Sequence, residues 1–279
     1  MNISGFYAIT RPVNAIVSGL AAALGFLIAT GTLVPAVLLP VTIVALITAA
    51  GNVINDYFDA GIDAINRPER PIPSGIIHPD SARSFAVLLF LAGILLCFFT
   101  NAACIAIALF NSLLLVGYAA KLKRIPLIGN FAVSYLSSSI FLFGGAFSGV
   151  GGLFQNLPLS LITFLAMAAR ELLKDIEDME GDRAGGARTL PLRIGIKNTG
   201  RVAFAFALLA IGASLIPGLW WGRWYLVGIG IVDLGILASV SCALPCMTPD
   251  CVKASQATTF LKAGMFGSLV VFTLAALFL

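Results

Sequence analysis

The sequence predicts an all-α integral membrane protein with nine transmembrane helices around a central cavity. Three observations predict it. Apolar residues make up 59 % of the chain and charged residues only 11 %, whereas a soluble domain carries about 25 % charged residues. Apolar segments of about 20 residues, the length that crosses a bilayer, recur along the whole chain. The basic residues between them sort to one side, as they do in the cytoplasmic loops of multi-pass proteins.

The apolar segments run near 12–31, 33–52, 82–100, 102–120, 129–149, 157–174, 201–219, 224–245 and 256–278. Met1 to Arg11 lacks a basic stretch followed by a small-residue cleavage site, so the first segment is expected to stay as a span and not to leave as a signal peptide. Links as short as Gly31-Thr32 and Thr100-Asn101 make their neighbours antiparallel. With the N-terminus placed in the cytoplasm, each of the 17 basic residues except Arg223 falls on that side. The C-terminus then lies outside. The expected location is the cell membrane, with residues 1–279 forming a single multi-pass domain.

The acids are grouped, not scattered. All 13 carboxylates except Asp233 and Asp250 lie in two stretches, Asp56 to Asp80 and Glu171 to Asp182, both on the expected cytoplasmic side. In the first, aspartates stand at 56, 59 and 63; in the second, at 175, 178 and 182. Both follow i, i+3, i+7. If each stretch continues its preceding helix, each trio lies on one helical face. Asn52 and Asn55 extend the first stripe and Glu171 the second, while Glu177 and Glu180 fall on other faces. Three like charges on one face need a cation to offset them. Asp and Asn oxygens suit magnesium or calcium, and the spacing is not that of an EF-hand. Two such faces opposed across a cavity would hold a diphosphate through bridging magnesium.

Each acidic motif has a basic tail. Asn66-Arg67-Pro68-Glu69-Arg70-Pro71 follows the first, and Arg183 to Arg188 follow the second. Guanidinium groups bind phosphate oxygens bidentately. The motifs end spans two and six, so spans one to four and five to eight form a weak internal repeat, with a ninth helix added. Lys121, Lys123 and Arg124 end span four, with Lys123 and Arg124 either as phosphate contacts or as part of an orienting basic cluster.

The remaining signals read as structural. Asp233 sits in mid-span without an expected partner and is taken as a protonated or hydrogen-bonded structural group. The lone histidine, His78, excludes a histidine cluster and is expected to cap or lie at the surface. The five cysteines form no C-x-x-C pair and are expected to be small packing residues. Gly144, Ser148 and Gly152 have the small-xxx-small spacing of closely packed helices. There is no Walker A and no G-x-G-x-x-G, so neither nucleotide chemistry nor a nucleic-acid partner is expected.

Asn55-Asp56-Tyr57-Phe58-Asp59-Ala60-Gly61-Ile62-Asp63 resembles the N-D-x-x-D-x-x-x-D motif of UbiA-type membrane prenyltransferases, and Asp175 to Asp182 resembles their D-x-x-D-x-x-x-D. Lys123-Arg124 before Pro126 and Gly129-Asn130 is also similar, and the resemblance covers nearly the whole chain. It implies the UbiA-type fold and a magnesium-dependent transfer in which the allylic diphosphate ionises and an acceptor captures the carbocation. By that resemblance Asn55, Asp59, Asp63, Asp178 and Asp182 hold the magnesium ions, supported by Asp56 and Asp175. Asp59, Asp63, Asp178 and Asp182 are then the catalytic carboxylates. Asn55, Arg67, Arg70, Lys123, Arg124, Lys174 and Arg188 become contacts for diphosphate or acceptor.

KDIEDMEGDRAGGARTLPLRIG and YAAKLKRIPLIGN are most similar to the archaeal branch of the family. The partners this implies are geranylgeranyl diphosphate, a lipid-phosphate acceptor (geranylgeranylglyceryl phosphate, giving the second ether bond of archaeal lipids) and the surrounding membrane lipids. An aromatic or quinone-precursor acceptor, of the 4-hydroxybenzoate, homogentisate or chlorophyllide type, is the alternative within the family. A secondary transporter is the alternative outside it. Transporters place functional ions near the bilayer midplane, whereas only Asp233 lies at that depth here.

Overall fold

The computed structural model describes residues 3–184 and 186–279, apart from the side chains of Asn66 and Ala184. Regular structure among the described residues is helical. Among the described residues, nine long helices overlap the nine expected segments. They are α1 (Pro12–Thr30), α2 (Leu38–Asn66), α3 (Pro79–Cys97), α4 (Ala102–Ala120), α5 (Ile128–Phe147), α6 (Leu157–Glu177), α7 (Ile196–Ser214), α8 (Gly218–Ala243) and α9 (Ala257–Phe278). Eight of them, among the described residues, are long and apolar enough to cross a membrane. The other is α6, whose last turns carry Arg170, Glu171, Lys174 and Asp175.

Local chemistry sets the helix ends. Pro12 and Pro79 open α1 and α3 at positions where no backbone N–H is needed. His78 caps α3, accepting from Asp80 N at 3.3 Å, and Asn101 caps α4, accepting from Cys104 N at 3.1 Å. Gly31 ends α1 in the left-handed conformation, with φ of 71°. Gly222 breaks α8 near its start, with φ of 70°. Three non-glycine residues among those described also have positive φ: Arg11 (50°), Leu127 (61°) and Gln256 (54°). Each immediately precedes a long helix, α1, α5 and α9 respectively.

Two compact units form: residues up to 122 with 139–156, and residues 123–138 with 157–279. In the first, Ile43, Val44, Ile47, Ala50 and Val53 of α2 pack with Ala82, Ala86 and Phe90 of α3. Bilayer lipid gives apolar side chains no drive to leave it, so close van der Waals fit holds such helices together. The C-terminal half of α5 lies so tight on α1 that a β-carbon on Gly144 would come within 2.0 Å of Ala22 O. In the second unit, Leu172, Leu173 and Ile176 of α6 pack with Ala203 and Ala207 of α7, Val240 of α8 and Leu261 of α9. Large apolar side chains such as Leu88, Leu91, Leu95 and Leu113 point outward, as lipid-facing residues do. Trp220 and Trp224 flank the one basic residue on the expected outer side, and the Arg223 guanidinium sits 5.2 Å from the Trp224 ring.

Two expectations need correction. Cys97 and Cys104 are buried as packing residues, but Cys246 and Cys251 form a disulfide. The chain reverses between α8 and the short helix Pro249–Ser255, bringing their Cα atoms to 5.4 Å, a separation a sulfur bridge spans. Asp233 has a partner that the sequence did not suggest, and it is hydrogen-bonded, as a structural group was expected to be. It is buried, with Ser214 Oγ 2.6 Å from its carboxyl, while the Tyr225 hydroxyl donates to Ser214 O at 2.6 Å.

Candidate active site

The first motif rides on α2, which runs unbroken from Leu38 to Asn66. At 1.5 Å per residue its 29 residues span roughly 44 Å, against a hydrocarbon core of about 30 Å. The helix therefore outlasts the membrane, and its last turns carry the motif. The tail folds back through a run of turns: Ser74 N donates to Arg70 O at 2.9 Å and Ile77 N to Pro71 O at 2.9 Å. That reversal turns Arg70 onto the helix it has just left. Its Nη1 donates to Asp63 at 2.5 Å and to Asp56 at 3.2 Å.

Asp56 has a second guanidinium partner, Arg11, from the turn before α1. One helical turn earlier, Asn52 donates to Thr10 O at 2.9 Å, fixing the same turn against α2. Asn55 Nδ2 donates to Asp59 at 2.9 Å. Asp56 and Asp63 are buried and Asp59 is half-buried. The first trio thus differs from the expectation of bare like charges. Two arginines of the same unit already balance Asp56 and Asp63, which are buried salt-bridged groups before any ligand arrives. Arg67 is exposed, and its N–H closes the end of α2 on Asp63 O at 2.8 Å.

The second motif begins on the last turn of α6. Asp178 N donates to Lys174 O and Asp182 N to Asp178 O, both at 2.9 Å, so helical spacing carries on into the short helix Met179–Ala184. The trio keeps one face. Asp175 accepts from Asn130 Nδ2 at 2.9 Å, and Asn130 is itself buried. Beyond the expected span 157–174, burial pushes the Asp175 carboxyl up to about 7, opposed by the Asn130 hydrogen bond and reinforced by Asp182 and Glu171. Burial also raises Asp182, as does the neighbouring Asp178. Burial is the larger cause at both carboxyls, and neighbouring acids add to it.

Around this motif, Arg188 N donates to Arg124 O at 3.4 Å, which sets the two exposed basic residues side by side. Lys123 is half-buried, whereas Lys174 and Asp178 are exposed. Arg170 pairs with Glu171 at 2.6 Å. Glu177 looks the other way, accepting from Thr258 Oγ1 of α9 at 2.8 Å.

Among the described residues, no three carboxylate, histidine or cysteine side chains converge into a ready-made metal cage. Magnesium does not need one, because it takes one or two carboxylates and completes its shell with water and phosphate oxygens. Hard oxygen donors with raised carboxyls in the second motif fit such an ion. Within each unit, the structure joins Asn55 to Asp59, Arg70 to Asp56 and Asp63, and Arg124 to Arg188. Arg11 is absent from the residues the motifs single out, since it precedes the first span and reads only as an orientation signal. Asn130 enters there only through the resemblance around Pro126.

The chain matches the UbiA prenyltransferase family over residues 12–277. It is 59 % identical over 279 residues to the digeranylgeranylglyceryl phosphate synthase of Methanoregula boonei, covering all of both chains. A solved structure concerning a digeranylgeranylglyceryl phosphate synthase in membranes superposes with a TM-score of 0.87 at 34 % identity, covering 100 % of this chain and 99 % of that one. A UbiA homologue from Archaeoglobus fulgidus, solved bound to GPP and Mg2+, shares the fold at 14 % identity, with a TM-score of 0.65 over 96 % of this chain and 99 % of that one. Matched over residues 12–277 by the family and over its whole length by a relative of 59 % identity, this chain belongs to the UbiA prenyltransferase family.

Proposed function

We propose that this membrane prenyltransferase moves a geranylgeranyl group from geranylgeranyl diphosphate to the free hydroxyl of geranylgeranylglyceryl phosphate, forming the second ether bond of an archaeal lipid. The full-length identity of 59 % to a digeranylgeranylglyceryl phosphate synthase carries this reading. The bond between C1 and the diphosphate oxygen breaks, and its electron pair leaves with the diphosphate. The acceptor oxygen then bonds to C1 and gives up its proton. Magnesium held by the aspartate motifs would supply charge neutralisation for the departing diphosphate, and a fulgidus relative of the same fold was solved with GPP and Mg2+.

Asn55, Asp59, Asp63, Asp178 and Asp182 are the proposed ligands of the diphosphate-bound metal, with Asp56 and Asp175 behind them. Arg67, Arg70, Lys123, Arg124, Lys174 and Arg188 are the proposed phosphate contacts. The motifs lie on the cytoplasmic side in this reading, with the C-terminus outside, because each basic residue but Arg223 then faces the cytoplasm. Membership of a prenyltransferase family leaves the transporter reading without support.

Purified protein should incorporate radiolabelled geranylgeranyl diphosphate into geranylgeranylglyceryl phosphate only when Mg2+ is present. Asp59→Ala and Asp178→Ala should each abolish incorporation; full activity in either would defeat the site assignment. Offered 4-hydroxybenzoate, homogentisate and dihydroxynaphthoate beside the lipid phosphate, the enzyme should choose the lipid. Preference for an aromatic acceptor would overturn the proposed reaction.

A further inference from the structure

The first aspartate of each motif is held in the same way in both units. Asp56 is gripped by Arg11, and Asp175 by Asn130, each partner lying 45 residues upstream of its aspartate. Each partner stands at the N-terminal end of a long helix, α1 or α5, and each aspartate lies on the next long helix, α2 or α6. Both partner-bearing helices start from a residue in the left-handed conformation, Arg11 itself in one case and Leu127 in the other, with φ of 50° and 61°. A side chain with a β-carbon is held there only where the surroundings over-determine it. Asn52 to Thr10 O in the first unit, and Phe131 N to Leu127 O in the second, fasten these turns.

We infer that Arg11 and Asn130 are matched positioning residues, which act through Asp56 and Asp175 to set the rotation of each motif helix and so the direction in which Asp59 and Asp178 point. Asp56 and Asp175 are then anchors and not metal ligands, which deepens the proposed function and rests on it. The observations separate the roles. Asp56 has two guanidinium partners where the equally buried Asp63 has one, and Asp175 has one oxygen on a buried amide. One turn further on, Asp59 is half-buried and Asp178 exposed, as groups that must meet a ligand should be. The two partners differ in charge, so what they share is the donor they present and its place, not an affinity for phosphate.

Double-mutant cycles test this on the full-length protein in detergent, reading kcat, the KM for geranylgeranyl diphosphate and the Mg2+ half-saturation. Arg11→Ala and Asn130→Ala should each lower kcat/KM by roughly 10- to 100-fold, the usual loss when a group orienting a metal-binding residue is removed, and should raise the Mg2+ half-saturation. Arg11→Lys should restore part of the loss. Added to Asp56→Asn, Arg11→Ala should cost nothing more, and likewise Asn130→Ala added to Asp175→Asn. Losses that multiply would mean that Arg11 or Asn130 meets substrate directly, and unchanged kinetics would mean that neither matters; both outcomes overturn the inference. If the alanine variants do not fold, Arg11→Lys and Asn130→Gln, which keep a donor but displace it, carry the same cycles. Asp59→Ala and Asp178→Ala, run alongside, isolate the cause of failure. Activity surviving in them defeats the proposed function, whereas their inactivity beside multiplying cycles defeats only the positioning role.

Discussion

Asp175 shows how a single carboxyl couples protonation to folding. Its folded-state value of about 7 stands above the ordinary 3.8, so the folded state holds this proton more tightly than the unfolded one. Below about pH 4 both states carry it and there is no penalty; as pH rises to about 7 the unfolded state ionises first and stability falls. With a chelator present, thermal unfolding should therefore come earlier at about pH 8 than at about pH 5. Asp175→Asn should flatten that slope, and a slope unchanged in that variant would assign the effect elsewhere. The i, i+3, i+7 pattern made Asp175 and its motif mates legible in the sequence. What surrounds the aspartates of the two motifs was not, because Arg11, in the turn before α1, and Asn130, on α5, come from elsewhere in the chain and no local pattern links residues so far apart.

At the scale of the element, length decided what could be read. Twenty apolar residues can only be satisfied in lipid as a helix, so the long helices were legible, together with the motif carried on the overhanging end of α2. The contacts between helices depended on single glycines. Gly144 belongs to the small-residue spacing seen in the sequence, yet only the structure reveals its neighbour, the carbonyl of Ala22. Gly144→Ala should push α1 off the second half of α5 and destabilise the protein by about 1–3 kcal/mol, the range for overpacked interiors. Thermal unfolding in detergent reads this directly, and an unchanged midpoint would mean the helices are free to separate. The Cys246–Cys251 bridge was illegible for the opposite reason. Its spacing matches no familiar cysteine motif, and the reversal of chain after α8 creates the proximity.

For the whole molecule, the placement of the basic residues supports the proposed orientation, and family membership gives the chemistry. A membrane-impermeant maleimide applied to intact cells should label Arg223→Cys and spare both Gly181→Cys and the native exposed Cys242, which lies at the opposite end of α8 from Arg223. Labelling of Gly181→Cys and not of Arg223→Cys would invert the topology. The left-handed residues before α1, α5 and α9 carry a consequence of their own, since they recur at the start of every fourth long helix. Such a backbone costs a residue with a β-carbon about 1–2 kcal/mol, and glycine escapes most of that. At Gln256, an exposed site, Gln256→Gly should leave the fold intact or tighten it by up to about 1 kcal/mol. At Arg11 the same exchange would surrender the guanidinium that Asp56 depends on. One recurring bend thus serves as a plain hinge-pin at one end of the chain and as the mount for a working part at the other.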